Sequence, residues 1–157
     1  IMFILQSCSV KYSLTGASIS PETTSFQVNY FQNNAPLIEP GIERDFTNKL
    51  IDLLINQTSL ELVKSNGDLV YEGEIVEYRI SPTTATADNR AAQNRLTVAV
   101  NIRFYDIQDP DADFEKRFSF YYDYPAETQL INIKSEAHDI IFERLTQDIF
   151  NASLAKW

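Results

Sequence analysis

The chain is poor in the residues from which most reactive centres are built. Its 157 residues include one cysteine, one histidine, one tryptophan and four glycines. A lone cysteine, Cys8, leaves no partner for an intramolecular disulfide and no cysteine cluster for zinc. No apolar run approaches the roughly 20 residues that a bilayer-spanning helix needs. Basic charge is scarce as well: 13 Lys and Arg stand against 22 Asp and Glu, a formal net charge of -9. That balance argues against a nucleic-acid partner, which would call for a basic face, and against docking on an anionic membrane through charge alone. What the chain does have is aromatic bulk. Ten Phe and eight Tyr in a sequence that is 44% hydrophobic suit pleated surfaces carrying large side chains around one core. The length is that of a single domain.

The hydrophobic opening Ile1-Met2-Phe3-Ile4-Leu5 ends at Gln6-Ser7-Cys8. A short apolar stretch, a small residue and then a cysteine is the pattern of a bacterial lipoprotein signal, because processing needs a small residue at the cut and an accessible thiol to acylate. Residues 1–7 read as the remainder of a signal peptide, Cys8 as the lipidation site, and residues 8–23 as a tether. Residues 24–157 form one domain on this reading. Each acyl methylene buried in a membrane is worth about 0.8 kcal/mol, so lipid chains on Cys8 would hold a soluble body at a membrane without a spanning helix. The other reading of Cys8 is a small apolar residue packed in a core.

Hydrophobic periodicity sets out the rest. Phe26, Val28 and Tyr30 alternate with Gln27 and Asn29 as a half-buried strand, which Asn33 to Pro36 should break. Ile42, Phe46, Leu50, Leu53 and Leu54 recur at helical spacing, predicting an amphipathic helix over 42–57 just after Pro40. Leu60, Leu62 and Val63 suggest a short strand, and Asn66-Gly67 reads as a hairpin turn into a strand starting at Leu69. The apolar phase slips near Ile75-Val76, which predicts a bulge. Residues 81–94 turn polar and read as a loop. Leu96, Val98, Val100, Ile102 and Phe104 then alternate cleanly, as do Phe114, Phe118, Phe120, Tyr122 and Tyr124 beyond the turn at 106–113, so the two runs should form a long hairpin ended by Pro125. A final helix is expected from Glu127 to about Ala155, its inner face marked by Leu130, Ile133, Ala137, Ile141, Leu145, Ile149 and Ala152. The fold class that follows is α+β: a two-layer sandwich with a mostly antiparallel sheet of about five strands and two helices on one face.

Few residues invite a chemical reading. His138 has no nucleophile motif near it and reads as a surface residue of the last helix. Asp109, Asp111 and Asp113 have the alternation that opens a calcium loop, but the central glycine is missing and the closing position falls on Phe120, so turn chemistry explains them better. Glu72, Glu74 and Glu77 could supply a carboxylate pair, yet they also fit the solvated side of a one-sided sheet. Arg90 and Arg95 lie within or beside the polar loop, where two guanidinium forks could grip phosphate or simply stand in solvent. No metal or other cofactor is called for.

Taken in order, several segments carry a family resemblance. They run from Cys8-Ser9-Val10-Lys11-Tyr12-Ser13-Leu14-Thr15-Gly16-Ala17-Ser18-Ile19 through Tyr30-Phe31-Gln32-Asn33-Asn34-Ala35-Pro36-Leu37, Gly67-Asp68-Leu69 and Gly73-Glu74-Ile75. They continue with Asn94-Arg95-Leu96-Thr97-Val98, Val100-Asn101-Ile102-Arg103-Phe104, Asp148-Ile149-Phe150-Asn151 and Ala155-Lys156-Trp157. By these the chain resembles the LptE family of lipopolysaccharide-assembly lipoproteins, in its Bacteroidetes form. The resemblance implies a Gram-negative outer-membrane lipoprotein, anchored through Cys8 on the periplasmic face, without catalytic turnover. It would be the plug and assembly partner of an LptD β-barrel in the lipopolysaccharide export translocon. Family members hold lipopolysaccharide phosphates through basic residues near a strand tip, a role that would fall here to Arg90 and Arg95. The alternative expectation is a periplasmic-facing lipoprotein that binds or carries a lipid or other ligand without a barrel partner.

Overall fold

The computed structural model describes residues 17–83 and 92–155, so Cys8 and Arg90 lie outside the described residues. In chain order the elements are β1 (Ser25–Val28), β2 (Gln32–Asn33), α1 (Ile42–Gln57), β3 (Glu61–Leu62), β4 (Leu69–Thr83), β5 (Gln93–Asp106), β6 (Phe114–Pro125) and α2 (Leu130–Leu154), with a 3-10 turn at Pro110–Ala112. The strands form one sheet ordered β3-β1-β4-β5-β6, with β2 also on β4. It is a six-stranded mixed sheet, whereas about five mostly antiparallel strands were expected. β4, β5 and β6 run antiparallel, while β1 and β2 lie parallel to β4, and β3 lies parallel to β1. Two helices cover one face of this sheet, and the α+β sandwich stands.

The Asn66-Gly67 signal does not make a hairpin. β1 separates β3 from β4, pairing Phe26 with Leu62 on one side and with Leu69 on the other. The 63–68 connection must therefore cross β1. A type I′ hairpin turn needs positive φ at both central residues, and here only Asn66 has it, at 55°. Gly67 serves a different purpose: a Cβ there would sit 2.8 Å from the Gln27 backbone nitrogen, so only glycine lets the crossing chain lie on β1. Asp68 then fastens the crossing. Its Oδ2 accepts the Thr24 and Ser25 backbone N–H groups at 2.9 and 3.0 Å and both hydroxyls at 3.1 and 2.9 Å. The bond from the Thr24 N–H, followed by the Ser25 hydroxyl, holds this carboxyl below its usual pKa.

The first strand also breaks earlier than its sequence suggests. Val28 pairs with Tyr71 and Gln32 with Glu74, so four residues span what three span on β4. The extra residue reverses the phase. Tyr30, expected inside, is 60% exposed, and Phe31 is fully buried in its place. Phe31 covers Gly73, where a Cβ would strike the Asn101 carbonyl oxygen, and meets Phe46 of α1 edge-on at 5.1 Å. The bulge foreseen in β4 is present: the register with β5 shifts between Ile75 and Glu77.

The core lies between sheet and helices. Leu69, Tyr71, Ile75, Leu96, Val98, Val100, Ile102 and Phe104 point into it from the strands. Ile42, Phe46, Leu50 and Leu54 close it from α1 at steps of four, and Ala137, Ile141, Leu145 and Ile149 from α2. The four-residue step in α2 continues to Ser153, so Ala152, placed on the inner face by the sequence reading, is exposed. Ser153 belongs there for a reason: its hydroxyl meets the Tyr71 hydroxyl at 2.9 Å and satisfies the one polar atom of that buried ring. Phe46 and Phe142 join the two helices edge-on at 5.5 Å. Fully burying side chains of this kind contributes roughly 1.5–3 kcal/mol each.

Candidate functional site

The sheet face turned away from the helices carries the polar side chains that the same strands place between their core residues. At its centre stands Arg103 on β5. Its Nε donates to Glu72 at 3.1 Å, and its terminal nitrogens donate to Glu74 at 3.3 and 3.1 Å. Asn29 donates to the other Glu72 oxygen at 3.0 Å. One bend along the sheet, Glu77 takes Arg79 at 2.8 Å and also Arg117 of β6. The three glutamates are thus spent on arginines across and along the strands, an arrangement that neutralises charge and offers no free acid-base pair. The bonds to Glu74 and then Glu72 hold the Arg103 guanidinium well above its ordinary range.

Arg95, read from sequence as beside a loop, is a strand residue. β4 runs to Thr83 and β5 begins at Gln93, so residues 81–83, 93 and 94, expected in the loop, pair as strand. Arg95 grips Asp123, directly opposite on β6, with two bonds of 2.7 Å, and its guanidinium lies 3.6 Å above the Tyr121 ring. The bidentate bond raises the Arg95 pKa and lowers that of Asp123. A phosphate arriving at this tip meets an arginine whose fork is already engaged.

The acidic turn is built from its own carboxylates. Asp113 accepts the Asp106 N–H at 2.8 Å, and Asp106 accepts the N–H groups of Gln108 and Asp109 at 2.9 and 3.2 Å. These are turn-forming bonds.

His138 is not the solvated helix residue expected. It is half-buried between α2, α1 and β4, its ring stacked on Phe142 at 5.3 Å and edge-on to Tyr78 at 5.7 Å. Its Nε2 shares a 3.1 Å hydrogen bond with the Tyr78 hydroxyl. Burial lowers its pKa from the ordinary 6.5, with Lys134 acting in the same sense and Glu39, Asp45 and Asp139 opposing. Beside it is an open cleft of about 320 Å³ edged by Asp45, Lys49, Lys134 and Asp139. Lys134 is drawn to Glu39 at 2.7 Å and Lys49 to Asp139 at 3.8 Å, so the cleft presents balanced charge. Nothing in the sequence marked the Tyr78–His138 pair, since its members are 60 positions apart.

The family model described as LptE, lipopolysaccharide-assembly, matches residues 23–153. No curated protein matches the sequence. Among solved structures the chain is similar to a minor lipoprotein from Acinetobacter baumannii, with 16% identity, a TM-score of 0.54 and coverage of 86% of this chain and 98% of that one. It is also similar to a hypothetical protein from Chlamydia trachomatis, at 11% identity and TM-score 0.58 over 85% of this chain and 99% of the other. A protein from Xanthomonas campestris aligns at 7% identity and TM-score 0.53 over 85% and 87%. At such identities the likeness concerns the fold.

Proposed function

We propose, from the premise that this chain belongs to the LptE lipopolysaccharide-assembly family, that it is a lipid-anchored, non-catalytic partner seated in a large LptD-type outer-membrane barrel. The observation that carries this reading is the family match over residues 23–153. The polar sheet face supports it. Barrel lumens are lined by polar side chains, and a plug inside one needs a polar exterior on every side. Here the face without helices carries the Arg103, Glu77 and Arg95 ion pairs beside the exposed rings of Tyr105 and Tyr121. Among the described residues no helix is long and apolar enough to cross a membrane. On this reading residues 1–7 are removed, Cys8 is acylated and tethers the body through residues 8–23, and the folded unit from residue 24 onward faces the periplasm.

The carrier reading has less to rest on, because the space between sheet and helices is filled by Tyr71, Phe104, Phe142 and their neighbours. Purification in detergent through this chain, with mass spectrometry of its most abundant companion, tests the proposal. Recovery of one large barrel protein is expected, and recovery of the chain alone with bound lipid would sink it. Loss of acylation in Cys8→Ser, read as the mass of the mature N-terminal peptide, tests the anchor. Arg90 and Arg95 are the proposed phosphate contacts at the strand tip, with Arg95 released from Asp123 to make them. If lipopolysaccharide binding survives replacement of both by Ala, that assignment fails.

A further inference from the structure

Five aromatic rings lie in one continuous row through the core. Tyr78 of β4 meets His138 of α2 edge-on at 5.7 Å, and His138 stacks on Phe142 at 5.3 Å. Phe142 meets Phe46 of α1 at 5.5 Å, and Phe46 meets Phe31 at 5.1 Å. His138, the only histidine of the chain, is the one ring in this row that can take up a proton near neutral pH. What it must satisfy is the Tyr78 hydroxyl. Tyr78 is 2% exposed, and among the described residues its hydroxyl has one partner, the His138 Nε2 at 3.1 Å. A buried hydroxyl proton needs an acceptor, so Tyr78 donates, Nε2 accepts, and the neutral ring carries its own proton on Nδ1.

Protonation reverses that bond. Nε2 becomes a donor, and the Tyr78 hydrogen must turn into packed surroundings where no described group accepts it. The acids that would receive the imidazolium stand along the neighbouring cleft. They are Glu39 of the connection between β2 and α1, Asp45 of α1 and Asp139 of α2, with Lys49 and Lys134 as the opposing cations. On the sheet side the facing group is the Tyr78 phenol, with that of Tyr124 beside it. Glu39 is held by Lys134 at 2.7 Å, a bond that ties the connection over 34–41 to α2. This connection carries Leu37 and Ile38, both exposed.

We propose that His138 is an acid-sensitive latch: once protonated it leaves Tyr78 for the cleft, draws Glu39 away from Lys134, and frees the 34–41 connection from α2. The change is local, because the β4–β5 ladder beneath the ring is made of backbone bonds in which the imidazole takes no part.

This inference does not rest on the barrel reading, and its test contains no barrel. The full chain carrying Cys8→Ser is used throughout. With a single histidine, nitrogen-15 NMR reads the ring directly, and the Nδ1–H form is expected at about pH 8. A nitroxide on Ile38→Cys should be restricted there and lose its restriction over the same pH interval in which the ring titrates. In His138→Gln, whose amide oxygen accepts the Tyr78 proton without titrating, the nitroxide should stay restricted. Tyr78→Phe removes the hydroxyl that the charged ring cannot satisfy, and should shift the ring's midpoint upward. An Nε2–H ring at high pH, a nitroxide indifferent to the ring's titration, or one still released in His138→Gln overturns the proposal. So does a Tyr78→Phe midpoint that fails to rise, or release that comes only with loss of the far-ultraviolet circular dichroism.

Discussion

The two faces of strands β4 to β6 are made from alternate residues of the same chain, yet they are held by different forces. On the helix side Tyr71 leans on Phe104 with ring centres 5.0 Å apart, and Phe104 on Phe114 at 5.4 Å, in a region from which water is excluded. On the other side Arg103, with 30% of its side chain exposed, joins Glu72 and Glu74 across the strands. The first face gains by removing apolar area from water, a term that is large and indifferent to exact partner. The second gains little in net energy, because exposed ion pairs in water are nearly offset by solvation, but it fixes which strand residues stand together. Stability therefore resides on one face, and the ordered polar surface on the other.

Changes ordered by expected size would break or sharpen that contrast. Phe104→Ala should cost about 3–5 kcal/mol in chemical denaturation, since it opens a cavity beneath Tyr71. Gly73→Ala should follow at about 1–3 kcal/mol, because the new methyl meets the Asn101 carbonyl and the Phe31 ring, and overpacking against backbone cannot relax freely. The pH dependence at His138 comes next. Its folded pKa lies below the ordinary 6.5, so between those values the unfolded chain binds more protons than the folded one. Stability contributed by the neutral ring is complete above the ordinary imidazole pKa and is lost as pH falls through it toward the lowered folded value. Denaturation midpoints across this window should drop in the wild type, and the part of the drop due to this ring should vanish in His138→Gln. Smallest of all, Arg103→Ala should cost no more than about 1 kcal/mol while altering the polar sheet face. A loss above about 3 kcal/mol, the scale of a broken buried pair, would mean that the polar face is structural after all.

The legible parts of the fold were those whose signal is local. Alternation in Leu96 to Phe104 and in Phe114 to Tyr124 announced β5 and β6, and steps of four announced α1. The slip at Ile75-Val76 announced a bulge, because phase is written in neighbouring residues. The illegible parts depend on distant segments. Asn66-Gly67 carries a strong hairpin signal, but the chain there is bound to Thr24 and Ser25, more than 40 positions away, through Asp68. Phe31 is inside and Tyr30 outside because Gly73 leaves a hollow that only the bulged strand can reach. His138 was read as surface since nothing near it in sequence shows that Tyr78 would cap its ring.

For the candidate site the same division holds. Glu72, Glu74 and Glu77 could be placed on a solvated face from their spacing, whereas their arginine partners could not be named without the register of β5 and β6. Arg95 was read as standing beside a loop, and both its place within β5 and its commitment to Asp123 follow from strand pairings, the latter 28 residues apart.

By itself the sequence determined the helix and strand periods, the acidic surface, and the family to which the chain belongs, all of which are carried by residues close together or by their order. Tertiary structure alone decided that β1 would lie between β3 and β4, that the polar face would be closed by paired charges, and that β6 would stand, among the described residues, at the edge of the sheet. Those outcomes depend on which strands become neighbours, and neighbours in a sheet are chosen by the packing of the whole core, to which residues far apart in the chain contribute together.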